Sequence, residues 1–174
     1  MHYLSLVRDL AINFLFPRNL KVPELDNLPP SENLNDKDTI ALFDYSHPLV
    51  KGVVWEVKYK GNTQIARKLG EILYDHIRQE LDELKLFDKR WGTPILVPIP
   101  ISDKRRFERG WNQSELLAKE VMSFDSEKIL KYLPHQLIKA RHTESQTKTR
   151  SRSERSKNLK DSMQVRDVEE VRGK

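Results

Sequence analysis

The chain predicts an open α/β sheet with flanking helices, because short apolar runs alternate with amphipathic stretches along most of its length. Three stretches carry that expectation. Residues 39–45 form a short apolar run suited to a strand, and residues 94–99 form a continuous one, as in a strand buried on both faces. Between them Ile65, Leu69, Ile72, Leu73, Ile77, Leu81 and Leu84 mark one face of a long amphipathic helix that starts near Asn62, behind Gly61.

The remaining elements fall around these. Leu4, Val7, Ala11, Phe14 and Leu15 recur at helical spacing and predict a packing helix. The apolar run 4–16 is too short to span a bilayer, and it carries Arg8, Asp9 and Asn13. It also has neither a basic leader nor a small-residue cleavage site, so neither membrane attachment nor a signal peptide is expected. Residues 17–38 are rich in Pro, Asn and Asp without an apolar period, which reads as a linker with a boundary near residue 38. Leu49, Val53, Val54 and Val57 are spaced for a helix despite their β-branched members. Pro98 has no ladder donor, so the strand at 94–99 should end there. Asn112 and Glu115 sit as N-cap and N3 of a capping box, with Leu116, Leu117 and Val121 supplying the apolar face of the helix that follows. Residues 136–140 and 163–166 are two further short strands. The expected organisation is an N-terminal helix and linker over 1–38, then an α/β domain over 39–174.

Composition narrows the chemistry. The chain has 174 residues, enough for one domain with a short extension. It contains no cysteine, which excludes disulfides, thiolate metal sites and a cysteine nucleophile, and fits a reducing, cytoplasmic setting. Its five histidines show no ligand spacing, so no metal site is expected. The net charge of +5 is concentrated. Residues 139–160 hold eight Lys and Arg (Lys139, Arg141, Lys148, Arg150, Arg152, Arg155, Lys157, Lys160) against Glu144 and Glu154 alone. A local stripe of this kind points to an anionic ligand or partner, or else to a solvated loop.

In open α/β sheets ligands bind beyond the carboxyl ends of the strands, and residues 101–110 lie there. That segment is expected to be a loop gathering Lys104, Arg105, Arg106, Arg109 and the Gly110 amide beside the helix that begins at Asn112. Cationic forks, a residue that admits close backbone approach and a positive dipole end are the parts of a phosphate or pyrophosphate site. The plainer alternative is a basic surface turn with a well-capped helix, and capping alone accounts for Asn112. Trp111 reads as a core residue before a stacking platform.

The run from Val97 to Ala118 resembles the signature of the ComF family: a Val-Pro-x-Pro strand end, a basic loop, then Arg-Gly-aromatic-Asn-Gln before a helix, with Trp111 where the aromatic is usually Phe. Arg141, Thr143 and Gln146, followed by Arg155 and Asn158, resemble the family's second block of Arg-x-Thr-x-x-Gln and Arg-x-x-Asn. Residues 42–62 are similar to its Tyr-containing strand and its helix ending in Lys-Tyr before Gly. The three blocks occur in the family's order across residues 39–166.

The resemblance implies a type I phosphoribosyltransferase fold and a setting in competence and DNA uptake. It makes residues 101–110 the pyrophosphate loop, with Arg109, Gly110, Asn112 and Gln113 as matched positions. Residues 142–157 become the mobile loop, and Thr143, Gln146, Arg155 and Asn158 are the matched positions of the second block. Two departures qualify it. The family's cysteine cluster after Leu-Phe-Pro is replaced by residues 18–27 without cysteine, so the zinc module is lost. The family continues from Gly-Lys into a strand and an Asp-Asp-x-x-Thr-Thr-Gly loop for ribose and phosphate, whereas this sequence stops at Gly173 and Lys174. The expectation is therefore a truncated core, inactive as it stands. Magnesium and phosphoribosyl pyrophosphate belong only to a complete relative, and no cofactor is expected in this chain. The rival expectation is a non-catalytic basic module that binds single-stranded DNA or another polyanion. Expected partners are a phosphate-type anion, DNA or the DNA-uptake machinery. Self-association is also expected, through a strand edge at 94–99 left open by the missing strand.

Overall fold

A computed structural model describes residues 22–31, 39–87, 92–141, 143 and 151–172. The chain divides into two compact units, residues 1–60 and 61–174. The N-terminal helix expected around residues 4–16 and the boundary near residue 38 lie outside the described residues.

In the first unit a 3-10 turn, Val22–Asn27, buries Leu25. The strand expected at 39–45 is reduced to an isolated antiparallel bridge between Pro30 and Phe43. Helix α1 (Pro48–Trp55) starts where proline is best tolerated, with Pro48 at its first turn. The His47 ring accepts from the Leu49 N–H. Val50 and Val53 are buried on α1, so tertiary burial overrides the poor helix propensity of its valines. The helix continues as a π-helical segment, Glu56–Lys60, in which buried Glu56 pairs with Lys60 at 2.7 Å.

The second unit is built on α2 (Thr63–Phe87) and α4 (Gln113–Phe124), two amphipathic helices that pack against each other. Gly61 enters α2 at φ +61°, a value that favours glycine, and the Trp111 ring lies where a Cβ would be. The Asn62 side chain then accepts from the Ile65 N–H at 3.2 Å and closes the first turn. Tyr74, Leu81, Val121 and Leu130 form the buried centre of the core, with Ile77, Leu84 and Leu96 packed around them. Each apolar position that marks the long helix in the sequence from Ile65 to Leu84 falls within α2.

Two small sheets complete the unit. Strand β1 (Ile95–Leu96) precedes α3 (Asp103–Arg109) and α4, and pairs in parallel with β2 (Lys131–Tyr132). Strand β3 (Leu137–Lys139) leads towards α5 (Arg152–Leu159) and pairs antiparallel with β4 (Met163–Val165), after which α6 (Val168–Val171) follows. The architecture is thus mixed α/β, with a parallel crossover from β1 to β2. The run 94–99 is less strand-like than its composition predicts, because Pro94, Pro98 and Pro100 lack backbone donors and confine pairing to two residues. Nor is the whole run buried, since Ile99 is 57% exposed. Among the described residues β1 has β2 as its one strand neighbour, and no helix is long and apolar enough to cross a membrane.

Candidate anion site

Residues 103–109 are a helix and not the expected loop. Ser102 caps its start, its Oγ accepting from the Arg105 N–H, and Gly110 ends it in the left-handed conformation at φ 87°. Successive side chains on a helix point about 100° apart, so α3 spreads its cations instead of gathering them. Lys104 is exposed. Arg106 pairs with Glu115 on α4. Arg109 is half-buried at the last turn, and Arg105 donates from Nη2 to the backbone oxygen of Thr143 at 3.3 Å. The Gly110 N–H, expected to face an anion, donates to the Arg106 oxygen at 2.8 Å and closes the helix.

Asn112 is 2% exposed and wholly engaged in structure. Its Oδ1 accepts from the Ser114 N–H at 3.0 Å, which makes it the N-cap of α4 as its position predicts. Its Nδ2 donates to the Ile99 oxygen at 2.9 Å and to Glu115 Oε1 at 3.3 Å, tying the carboxyl end of the β1 segment to the start of α4. Gln113 differs: its Oε1 is buried without a hydrogen-bond partner. The Tyr132 hydroxyl on β2 is likewise buried without one. Burial, and secondarily the Glu115 carboxylate, raise the Tyr132 pKa, so that phenol stays protonated.

Of the second block, Thr143 is 4% exposed and lies against Arg105, while Asn158 and Arg155 fall on α5. Gln146 lies outside the described residues. The structure therefore brings together Arg105 from the first block and Thr143 from the second. It adds Lys139, which the sequence marks only as a member of the basic stripe, and Arg141, which also opens the second block. Lys139, at the end of β3, donates to the Ser162 Oγ at 3.0 Å. Arg141 donates to the backbone oxygens of Asn158 at 3.0 Å and Lys160 at 2.7 Å, at the C-terminal end of α5. Such a position favours a cation, because the last carbonyls of a helix have no partner within it. No family model, no curated protein and no solved structure matches the chain.

Proposed function

We propose that the chain is a ComF-type, phosphoribosyltransferase-like protein that holds the pyrophosphate portion of a phosphorylated ligand without turning it over. One observation carries the reading: Arg105, behind the carboxyl end of β1, reaches Thr143 across 38 residues of sequence and joins the two blocks on which the resemblance rests. The parallel β1–β2 pair with helices in its crossover is compatible with the corresponding part of a type I phosphoribosyltransferase sheet. Phosphoribosyl transfer requires a positioned ribose as well as stabilisation of the departing pyrophosphate. The residues named here supply the anion half of that work and none of the ribose half. By the same resemblance the setting is DNA uptake.

Isothermal titration of pyrophosphate at low salt should show weak, salt-sensitive binding that falls about ten-fold in Arg105→Ala, the loss of one charge-assisted hydrogen bond. Phosphoribosyl pyrophosphate with magnesium should remain intact in the same samples. Equal pyrophosphate affinity in both proteins removes Arg105 from the site, and turnover in wild type that vanishes in Arg105→Ala contradicts the inactive reading.

A second reading, a basic module that binds single-stranded DNA, draws on Phe107. Its ring is 78% exposed on α3, and exposed Lys104 lies three residues before it on the same side of the helix. An aromatic platform beside cations is how single strands are bound without sequence preference. DNA binding lost in Phe107→Ala, with no pyrophosphate binding in wild type, favours this reading over the first.

A further inference from the structure

We propose that the outer edge of β4 is a dimer interface, on which a second copy of this chain lays its own β4 antiparallel and extends the two-stranded β3–β4 sheet across a two-fold axis. The proposal does not depend on the anion site.

The register of the β3–β4 pair fixes which backbone groups face outward. Ile138 stands opposite Gln164, the Ala140 N–H donates to the Ser162 oxygen at 3.0 Å, and the Arg166 N–H donates to the Gln136 oxygen at 2.8 Å. Hydrogen-bonded and non-hydrogen-bonded pairs alternate in an antiparallel ladder, so Ser162, Gln164 and Arg166 turn their backbone groups towards β3. Met163 and Val165 therefore turn theirs away, and among the described residues no strand lies on that side. The neighbouring helices leave the edge open as well. Arg141, just beyond β3, holds the last carbonyls of α5. Gln136, just before β3, donates from its side chain to the Asp167 oxygen at the start of α6, and Lys131 on β2 pairs with Glu170 on that helix at 2.8 Å. Both helices are thus tied to the β3 side.

A sheet of two strands is marginal in water and gains from further pairing. Exposed edges are normally blunted by proline, a bulge or a charge. The β4 edge has none of these over Met163, Gln164 and Val165, whereas β3 ends in Lys139 and is followed by Arg141. A second copy fits because the β4 edge is self-complementary. With Gln164 opposite Gln164 of the partner subunit, Met163 faces Val165 of the partner subunit, and each such pair exchanges both of its N–H···O bonds. Ser162 then faces Arg166 of the partner subunit, so no like charges oppose one another between residues 162 and 166. Met163 and Val165 share a face with Leu137, which stands opposite Val165 on β3. Val165, 44% exposed in the single chain, gains an apolar neighbour from the second copy. The paired segment is short, so the dimer is weak and depends on concentration.

Sedimentation velocity of the whole chain from about 5 to 500 µM tests the interface. The sedimentation coefficient should rise with concentration towards that of a dimer. Gln164 is exposed, and Gln164→Lys sets two ammonium groups against each other across the axis, which should weaken association about ten-fold. Gln164→Glu should do the same, and an equimolar mixture of the two variants should restore association, which a folding defect in either would not allow. Val165→Pro removes an outward N–H without removing a bond to β3, and should also weaken the dimer. A chain that stays monomeric throughout the range overturns the proposal. Association that persists unchanged in Gln164→Lys runs through another surface and overturns it equally.

Discussion

Gly70→Ala is expected to destabilise the chain by about 2 kcal/mol, although the same change on an open helix face would stabilise it by up to about 1 kcal/mol. The reason is the close approach of α2 and α4. A Cβ on Gly70 would lie 2.5 Å from the Glu120 Cβ, 2.9 Å from the Glu120 carbonyl carbon and 3.1 Å from the Val121 nitrogen. Two of those atoms are backbone, so no rotamer change relieves the clash and the helices must separate. Separation loosens the contacts of Val121 and Tyr74, both in the core centre. Chemical denaturation reads the effect as a lower midpoint with an unchanged slope. Gly110→Ala provides the contrast: nothing lies within 4 Å of its Cβ, and the cost there is backbone strain at φ 87° alone, about 1 kcal/mol. A Gly70→Ala protein as stable as wild type would show that the two helices do not meet at this point.

Asp125→Ala should have the larger effect, about 3 kcal/mol. Asp125 is 6% exposed and terminates α4. Its carboxylate accepts from the Ile129 N–H at 2.9 Å, the Leu130 N–H at 3.0 Å and the Tyr74 hydroxyl at 3.3 Å. That one side chain thereby fixes the turn into β2 and ties it to α2. Burial, and then the Asp125 charge, raise the Tyr74 pKa, so the phenol remains a donor throughout the neutral range. Alanine leaves three donors without their acceptor in a desolvated place, whereas Asp125→Asn keeps one acceptor oxygen and should cost less. A double-mutant cycle with Tyr74→Phe isolates the share of the hydroxyl. A loss well under 1 kcal/mol for Asp125→Ala would mean that water reaches these amides.

What the sequence discloses and what it hides follow from the same physics. Helices α2 and α4 are legible because each buries one regular face, and because Asn62 and Asn112 stand at their starts as caps. Strand β3 is legible as a short strand over residues 136–140, and β4 only weakly near residues 163–166. Helix α3 is not, because its one large apolar side chain, Phe107, is exposed and leaves no apolar period. Its signals were the terminal ones, Ser102 as N-cap and Gly110 as the left-handed stop, and a dense run of cations overshadowed them. Strand β2 spans two residues, too few for any alternation to register. The candidate site divides in the same way. Arg105 and Thr143 stand in motifs, but the sequence cannot tell which of four neighbouring cations a helix will turn inward. Lys139 is visible only as charge, and Arg141 as charge and as a motif position, since pairing with β4 and the end of α5 decide where they point.

Backbone amide chemical shifts during a pyrophosphate titration test most directly whether the two blocks meet around one anion. Shifts at residues 103–106 and at residues 139–143, following one binding curve and both weakened in Arg105→Ala, are the predicted result. Shifts confined to one of those segments, or spread along exposed lysines and arginines without saturation, would contradict it.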